Sequence, residues 1–372
     1  MFELTATDKN TRARRGRLKT RHGVIETPAF MPVGTQGSVK ALSPRELHEM
    51  DAQVVLGNTY HLFVRPGLEV IGKFGGLHRF MNWDGPILTD SGGYQIFSLA
   101  KLRKITEEGA HFQNHLDGTP TFISPEIAME IQAALGSDVA MVLDECPPWP
   151  CERDYAARSL EMTIRWAKRC KEAPHPDGQL VFGIVQGATF PDLRRESAEA
   201  LVEIGFDGYA IGGVSVGEPE TEMMLAVENA EPFLPNDKPR YAMGLGTPPQ
   251  MLELIARGVD MFDCVLPTRV ARNGMAFTNA GTTNVKNAVH TFETGPIEEG
   301  CSCEACAGGF SRAYLRHMLK SEEIIGLRLV SLHNLHFYLD LMKRARAAIE
   351  DGSFAEFRRR FAAGYQVRET PD

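Results

Sequence analysis

Eight short apolar segments, separated by amphipathic stretches, place the strongest constraint on the fold of this 372-residue chain. Helix start signals such as Ser43-Pro44 and Ser124-Pro125 lie between them. Strands that alternate with helices predict a parallel sheet, and eight such units predict a (β/α)8 TIM barrel, with a doubly wound open sheet as the alternative. The predicted strands are PAFMPVG (28 to 34), AQVVLGN (52 to 58), PILTD (86 to 90), VAMVLDE (139 to 145), VFGIVQG (181 to 187), GYAIGGV (208 to 214), RYAMGLG (240 to 246) and DMFDCVL (260 to 266).

Polar residues close most of these strands, at the end of a barrel where active sites assemble. Two of them, Asp90 in DSGGYQ and Asp263 in FDCVLPTR, provide a pair of carboxylates. Enzymes use such a pair to break bonds to a sugar anomeric carbon, with one carboxylate as nucleophile or charge stabiliser and the other moving protons. We expect the residues at the strand ends to converge: Asn58, Asp90, Asp144, Gln186, Gly213, Met243 and Asp263.

Two segments do not fit the strand and helix repeat. Residues 91–123 are too long for a simple loop, and residues 267–332 follow the eighth strand. We therefore predict one catalytic domain over residues 1–372, with a subdomain inserted at about 267–332. A closing helix is predicted from residue 333 to 352.

A metal site is predicted in the second of these segments. Cys301, Cys303 and Cys306 crowd into six positions, and His333 follows at the start of a helical pattern, with His317 and His336 as alternatives for the fourth ligand. Three thiolates and one imidazole form a closed tetrahedral shell, which favours structural zinc over iron. We expect it to stabilise a subdomain with little core of its own.

The distribution of charge is compatible with a polyanionic binding partner. The net charge of −8 argues against nonspecific nucleic-acid binding, but Arg269, Arg272 and Lys286 lie in a stretch without acids, and residues 9–21 hold seven Lys or Arg. Solvated faces are the simpler interpretation of such clusters. With neither an export signal nor a long apolar run, we expect a cytoplasmic protein without a membrane segment.

The strings DSGGYQ, GIVQG, AIGG, MGLG, FDCVLPTRxxRNG and CxCxxC followed by His closely resemble those of the bacterial tRNA-guanine transglycosylases, from about residue 2 to residue 366. The resemblance implies a zinc-containing (β/α)8 barrel of queuosine biosynthesis. Such enzymes exchange guanine at wobble position 34 for preQ1, 7-aminomethyl-7-deazaguanine. Their substrates are tRNAs with a GUN anticodon, which serve aspartate, asparagine, histidine and tyrosine.

The resemblance also implies roles for the two aspartates. Asp263 resembles the nucleophile that attacks C1′ of the wobble ribose and forms a covalent enzyme–RNA intermediate. Asp90 resembles the proton donor and acceptor for the departing and incoming bases. A double displacement suits an exchange reaction, because the second base enters on the face that the first one left.

The resemblance further implies a base pocket. In the family pattern Asp144, Gln186 and Gly213 bind the base, and a carboxylate, an amide and a backbone N–H match the groups of a guanine-like base. Tyr94 and Met243 are expected to sandwich the ring. Val216 and Cys146 match the bacterial pattern that favours preQ1 over queuine, whereas Val214-Ser215 replaces the common Leu-Ala.

The remaining expectations concern the partners and the rival functions. Arg269, Arg272 and Lys286 are expected to contact RNA, and the family functions as a homodimer with one structural zinc per subunit. Two alternatives stay open: a hydrolase of N-ribosyl or glycosidic bonds on the same barrel, and a non-catalytic tRNA-binding subunit. Intact Asp90 and Asp263 argue against the second.

Overall fold

A computed structural model describes residues 1–99 and 103–366, and it contains the predicted barrel. Eight parallel strands form one sheet, whose two outer strands meet. These eight are among the strands of the described residues, which are, in chain order, β1 (Phe2–Thr7), β2 (Arg14–Thr20), β3 (Gly23–Thr27), β4 (Ala29–Met31), β5 (Val55–Gly57), β6 (Ile87–Thr89), β7 (Arg103–Ile105), β8 (Ala110–Gln113), β9 (Pro120–Ile123), β10 (Val139–Met141), β11 (Leu180–Val185), β12 (Gly208–Ile211), β13 (Arg240–Ala242), β14 (Met261–Asp263), β15 (Met275–Thr278) and β16 (Gly281–Asn284).

Helices follow most barrel strands, and two 3-10 turns span Glu231–Phe233 and Ala288–Phe292. The helices that start at Pro44 and Pro125 begin where the sequence predicts, because a serine caps the first turn and proline occupies its start. The helices are α1 (Pro44–Glu49), α2 (Thr59–Val64), α3 (Leu68–Lys73), α4 (Leu77–Met81), α5 (Gly93–Leu99), α6 (Pro125–Leu135), α7 (Arg153–Glu172), α8 (Pro191–Ile204), α9 (Glu220–Ala230), α10 (Pro248–Ala256), α11 (Leu266–Ala271), α12 (Glu304–Ala307), α13 (Arg312–Lys320), α14 (Ile324–Glu350) and α15 (Phe354–Gly364).

The order of the strands decides between the two predicted architectures. Around the sheet it runs β4, β14, β13, β12, β11, β10, β6 and β5, so each strand lies next to its neighbour in the chain among the barrel strands. Closure comes just beyond β4, where Gly34 N donates to the carbonyl oxygen of Leu56 at 2.7 Å and Leu56 N donates to that of Pro32 at 3.0 Å. The barrel prediction is therefore confirmed, and an open doubly wound sheet is excluded.

An antiparallel sheet of β1, β2 and β3 covers the end of the barrel where the strands begin, and the sequence did not predict it. Arg14 of β2 donates to Asp260, which immediately precedes β14, at 3.1 and 2.6 Å. The same residue donates to the main-chain oxygens of Asn236 and Lys238. This sheet closes the barrel at that end, so the site must lie at the other.

The two segments that interrupt the repeat have their own structure. Residues 91–123 contain α5 and the antiparallel sheet β7–β8–β9, and residues 267–332 contain the β15–β16 hairpin, α12 and α13. The long helix predicted from residue 333 is α14, which begins at Ile324 and packs against α11, α12 and α13. Among the described residues, no helix has the length and apolar character that a membrane span requires.

Candidate active site and metal site

Three carboxylates converge at the ends of β6, β10 and β14. Asp90 directly follows β6, Asp144 lies just beyond β10, and Asp263 is the last residue of β14. Burial raises the pKa of all three, and their charges add to this effect: that of Asp263 on Asp90, and that of Asp90 on Asp144. The three aspartates therefore lie at the same end of the barrel, as the sequence predicts.

The start of α2 holds Asp90 in place. Thr59 N donates to its Oδ1 at 2.8 Å, and the Asn58 side-chain amide donates to its Oδ2 at 2.5 Å. Burial nevertheless raises the pKa of Asp90 to about 6, with the charge of Asp263 adding to the effect. A carboxyl group with such a pKa exchanges its proton readily near neutral pH, which a general acid and base must do. Asn58 was expected at the site, but the contribution of Thr59 was not.

Among the residues that the structure describes, the side chain of Asp263 accepts hydrogen bonds at one of its two oxygens only. The Tyr241 hydroxyl donates to its Oδ1 at 2.6 Å, and Gly244 N donates to the same oxygen at 2.7 Å. Burial raises the pKa of Asp263, and both hydrogen bonds oppose that rise by favouring the carboxylate. The two oxygens are therefore not equivalent. Sequence reasoning missed Tyr241, because a tyrosine inside a buried strand looks like a core residue.

Asp144 and Gln186 form a second polar unit beside Asp90. The Gln186 side-chain amide donates to Asp144 Oδ2 at 2.7 Å, and the Ser91 hydroxyl approaches Oδ1 at 3.4 Å. Burial raises the pKa of Asp144 to about 6, with a contribution from the charge of Asp90. Gly93 has to be glycine here, since an added Cβ would lie 2.8 Å from the main-chain oxygen of Asp144.

Gly213 lies against the same amide. Its φ is +61°, and a Cβ at this position would come within 2.4 Å of Gln186 Oε1. That oxygen is buried and has no partner among the described residues. The structure thus brings Gly213, Gln186 and Asp144 together as the sequence pattern predicts. Their action on a base stays a prediction.

The two expected ring-stacking residues differ in exposure. Tyr94, in the first turn of α5, has 54% of its surface exposed, whereas Met243 is half-buried just after β13. An exposed aromatic ring near buried polar side chains is available to a ligand. Stacking of a base between them remains a prediction.

A separate cluster, Cys301, Cys303, Cys306 and His333, has the geometry of a metal site. The three sulfur atoms lie 3.8, 3.5 and 3.4 Å from His333 Nδ1. Ligands of a tetrahedral zinc ion are separated by about 3.6 Å when one is sulfur and the other nitrogen. His333 Nε2 lies 2.7 Å from the main-chain oxygen of Phe277, so this nitrogen carries the proton and Nδ1 faces the sulfurs.

His333 is the histidine that completes this cluster. Of the three cysteine sulfurs, only that of Cys301 lies close to His336 Nδ1, at 3.8 Å. The other ring nitrogen of His336, Nε2, lies 3.2 Å from the Ser302 hydroxyl. The next residue on α14, Asn334, donates to the main-chain oxygens of Pro267 and Met275, both at 2.9 Å. The four-residue cluster can therefore hold a metal ion, and α14 joins it to the segment that follows Asp263.

A second group of potential ligands, His22, His78 and Asp138, does not fit a metal. The imidazole rings are stacked, with centroids 3.7 Å apart and planes 22° apart. Nitrogen lone pairs of nearly parallel rings do not point at a common ion. The rings instead lie 2.8 and 3.1 Å from the two oxygens of Asp138, which also accepts from Ile87 N at 2.9 Å. The group joins the β2–β3 turn to the barrel.

The basic clusters separate into paired and unpaired ones. In residues 9–21, Arg12 pairs with Glu231 and Arg14 with Asp260, both at 2.6 Å, so part of this cluster serves the fold. Arg269 and Arg272 are exposed on and after α11, and Lys286 is half-buried beyond β16. Within the ranges described, none of these three forms an ion pair, and Arg272 donates only to the main-chain oxygen of Thr268, at 3.0 Å. They remain candidates for phosphate contacts.

Comparison with known proteins agrees with this geometry. The family model described as queuine tRNA-ribosyltransferase matches residues 8–367. A protein of that name from Symbiobacterium thermophilum is 56% identical over 369 residues, covering 99% of this chain and 92% of the relative. Those from Lysinibacillus sphaericus and Bacillus velezensis are 56% and 55% identical over 365 residues, each covering 98% of this chain and 96% of the relative.

Proposed function

Because the chain belongs to the queuine tRNA-ribosyltransferase family, we propose that it is a pentosyltransferase that exchanges guanine in tRNA for a modified base. The exchange takes place at wobble position 34 of tRNAs with a GUN anticodon, those for aspartate, asparagine, histidine and tyrosine. The incoming base is preQ1, so the enzyme acts in queuosine biosynthesis in the cytoplasm. The observation that carries the proposal is the pairing of two differently bound aspartates, Asp90 and Asp263, beside a polar base pocket.

Asp263 is the nucleophile in this proposal. Oδ1 is occupied by the Tyr241 hydroxyl and Gly244 N, so Oδ2 attacks C1′ of the ribose. A C1′–O bond forms as the C1′–N9 bond breaks, and its electron pair leaves with guanine. The two donors hold the carboxylate in position for the attack. They also stabilise its charge when the second half-reaction releases it.

Asp90 manages the protons. It protonates the departing guanine and, once ionised, accepts a proton from N9 of the incoming base. N9 then attacks C1′, and Asp263 leaves as a carboxylate. A pKa of about 6 suits both steps, because neither form of Asp90 is scarce near neutral pH.

The base pocket supplies selectivity for guanine-like bases. The Asp144 carboxylate accepts from N1–H and the 2-amino group, while Gln186 and the Gly213 N–H serve the 6-carbonyl edge. Tyr94 and Met243 stack on the two faces of the ring.

The preference for preQ1 over queuine rests on two positions near the pocket. Val216 N donates to Glu218 at 2.8 Å, in the turn that follows Gly213. Burial raises the pKa of the Cys146 thiol to about 12, with the charge of Asp144 adding to it, so this side chain is neutral. Both residues match the bacterial pattern. A small aminomethyl group fits such a site more easily than the larger substituent of queuine.

The metal cluster and the unpaired basic residues have supporting roles, in stability and in tRNA binding. We propose that Cys301, Cys303, Cys306 and His333 bind one structural zinc per subunit, which stabilises a subdomain at about 267–332 inserted into the single catalytic domain over residues 1–372. Arg269, Arg272 and Lys286 bind phosphates of a tRNA whose wobble nucleotide is flipped into the pocket. The enzyme works as a homodimer.

The deciding experiment is incorporation of labelled guanine into a GUN-anticodon tRNA, with preQ1 as competitor. The wild-type protein should retain label in intact tRNA, and preQ1 should suppress it. Release of free base with an abasic tRNA would identify a hydrolase instead. Binding of tRNA without any incorporation would identify a non-catalytic subunit.

Two variants test the roles of the aspartates. Asp263→Asn should abolish incorporation while tRNA binding survives, and only the wild type should yield a covalent protein–RNA adduct when the reaction is stopped in denaturant. Asp90→Asn should slow exchange, because an amide can neither protonate the departing guanine nor accept a proton from the incoming base. Normal exchange by Asp263→Asn would disprove the mechanism.

A further inference from the structure

The guanidinium of Arg194 lies buried behind the base pocket and binds four main-chain carbonyl oxygens. Nε donates to Ala188 at 2.7 Å, Nη1 to Val185 at 3.1 Å and to Gly212 at 2.6 Å, and Nη2 to Gly213 at 3.1 Å. One side chain in the first turns of α8 thereby joins the turn after β11 to the turn after β12. These are the turns that carry Gln186 and Gly213.

The bond to Gly212 fixes the direction of a neighbouring donor. The Gly212–Gly213 peptide is trans, so its C=O and N–H point in opposite directions. Because the carbonyl oxygen points at Arg194, the Gly213 N–H points away from Arg194. Gly213 also lies against the amide of Gln186, which binds Asp144. The N–H is thus held beside the polar groups of the base pocket.

Arg194 is a buried cation that forms no ion pair with the described residues, and burying such a charge to hold two turns together costs free energy. Burial lowers the pKa of Arg194 to about 10, although the charge of Glu218 opposes this effect. Its four hydrogen bonds within the described residues all go to neutral carbonyl groups. A cation beside a carbonyl oxygen draws electrons from the peptide and strengthens the N–H on its other end as a donor. Purely structural ties between turns do not require this charge.

We propose that Arg194 is a positioning residue that aims and polarises the Gly213 N–H toward the 6-carbonyl of the bound base, and so sets the preference for 6-oxopurines. The inference rests on the proposed function and names a determinant of base selectivity within it. Arg194 touches neither the base nor the reacting atoms. It acts through the main chain of Gly212 and Gly213.

The test compares guanine with 6-thioguanine, which differs from it only in the acceptor at position 6. Both are measured as competitors of labelled guanine incorporation into tRNA, for the wild type, Arg194→Met and Arg194→Lys. Arg194→Met should weaken guanine binding by about tenfold, the equivalent of one lost hydrogen bond, and change 6-thioguanine binding much less. Arg194→Lys should recover part of the preference, and the KM for tRNA should stay unchanged.

Arg14→Met is the matched control, since Arg14 is also a buried arginine but lies at the opposite end of the barrel. It should lower thermal stability and leave the preference for guanine unchanged. An unchanged preference in folded Arg194→Met, or equal weakening of both bases, would overturn the inference. If Arg194→Met does not fold, Arg194→Lys replaces it in the test, and a preference for guanine over 6-thioguanine equal to that of the wild type would overturn the inference. A wild-type protein that incorporates no guanine would instead remove the proposed function.

Discussion

Replacing Asp144 by Asn should make the protein more stable at neutral pH while abolishing base exchange. The carboxyl group is buried, and its oxygens contact the Gln186 amide and, more distantly, the Ser91 hydroxyl. An Asn side chain can keep both contacts, accepting from Gln186 and donating to Ser91. The substitution therefore removes a buried charge while the Gln186 amide and the Ser91 hydroxyl each keep a partner, but it also removes the carboxylate acceptor that is proposed to bind a guanine-like base.

The magnitude follows from the pKa of Asp144. Its ordinary value of 3.8 applies to the unfolded chain, and burial raises it to about 6 in the folded protein. Ionising the folded form therefore destabilises it by about 3 kcal/mol, at about 1.4 kcal/mol for each tenfold change in an equilibrium constant. Because the folded pKa is the higher one, the penalty is absent below pH 3.8, grows as the pH rises and is complete above about pH 6.

Thermal unfolding of the wild type and Asp144→Asn between pH 4 and pH 8 measures this effect. The two midpoints should nearly coincide at pH 4 and diverge through pH 6, with the variant more stable and the difference constant above pH 7. Asp117→Asn is the control, because this exposed carboxylate has a pKa below its ordinary value and its replacement should bring no gain. A difference that does not change with pH, or a less stable Asp144→Asn at pH 8, would refute the reasoning.

Three further changes have definite expected outcomes. Gly93→Ala should lower base affinity by at least about tenfold, because its Cβ would lie 2.8 Å from the Asp144 main-chain oxygen and push the two apart; a competition assay with guanine measures this. His333→Ala should lose bound metal and have a lower unfolding midpoint, whereas His336→Ala should keep the metal content and the midpoint of the wild type. Equal metal content in the two variants would show that His333 is not the fourth ligand. Arg269→Ala should weaken tRNA binding similarly for all sequences and reduce the dependence of log Kd on log salt by about one, as a titration at several salt concentrations would show.

Much of the barrel could be predicted because its strands are buried on both faces and therefore read as continuous apolar runs. Helices α1 and α6 begin where the sequence predicts, because Ser43-Pro44 and Ser124-Pro125 mark their starts. The same logic placed Asp90 and Asp263 at one end of the barrel, since parallel strands end on the same side.

What could not be predicted depends on contacts between distant parts of the chain. The β1–β3 sheet lies in a basic stretch, and its meaning becomes clear only when Arg14 meets Asp260, 246 positions later. Tyr241 looks like a core residue until its hydroxyl is seen on Asp263. Local spacing also cannot choose between His333 and His336, because both lie on α14 and only the packing of the helix selects one.

Two adjacent residues of α14 link the metal cluster to the candidate active site. His333 faces the three cysteines, and Asn334 next to it holds the main chain at Pro267, four residues after Asp263. Any loosening of the metal cluster is therefore transmitted to the segment that follows Asp263. Loss of a bound ion should therefore disturb the candidate active site, even though none of the three aspartates binds the ion.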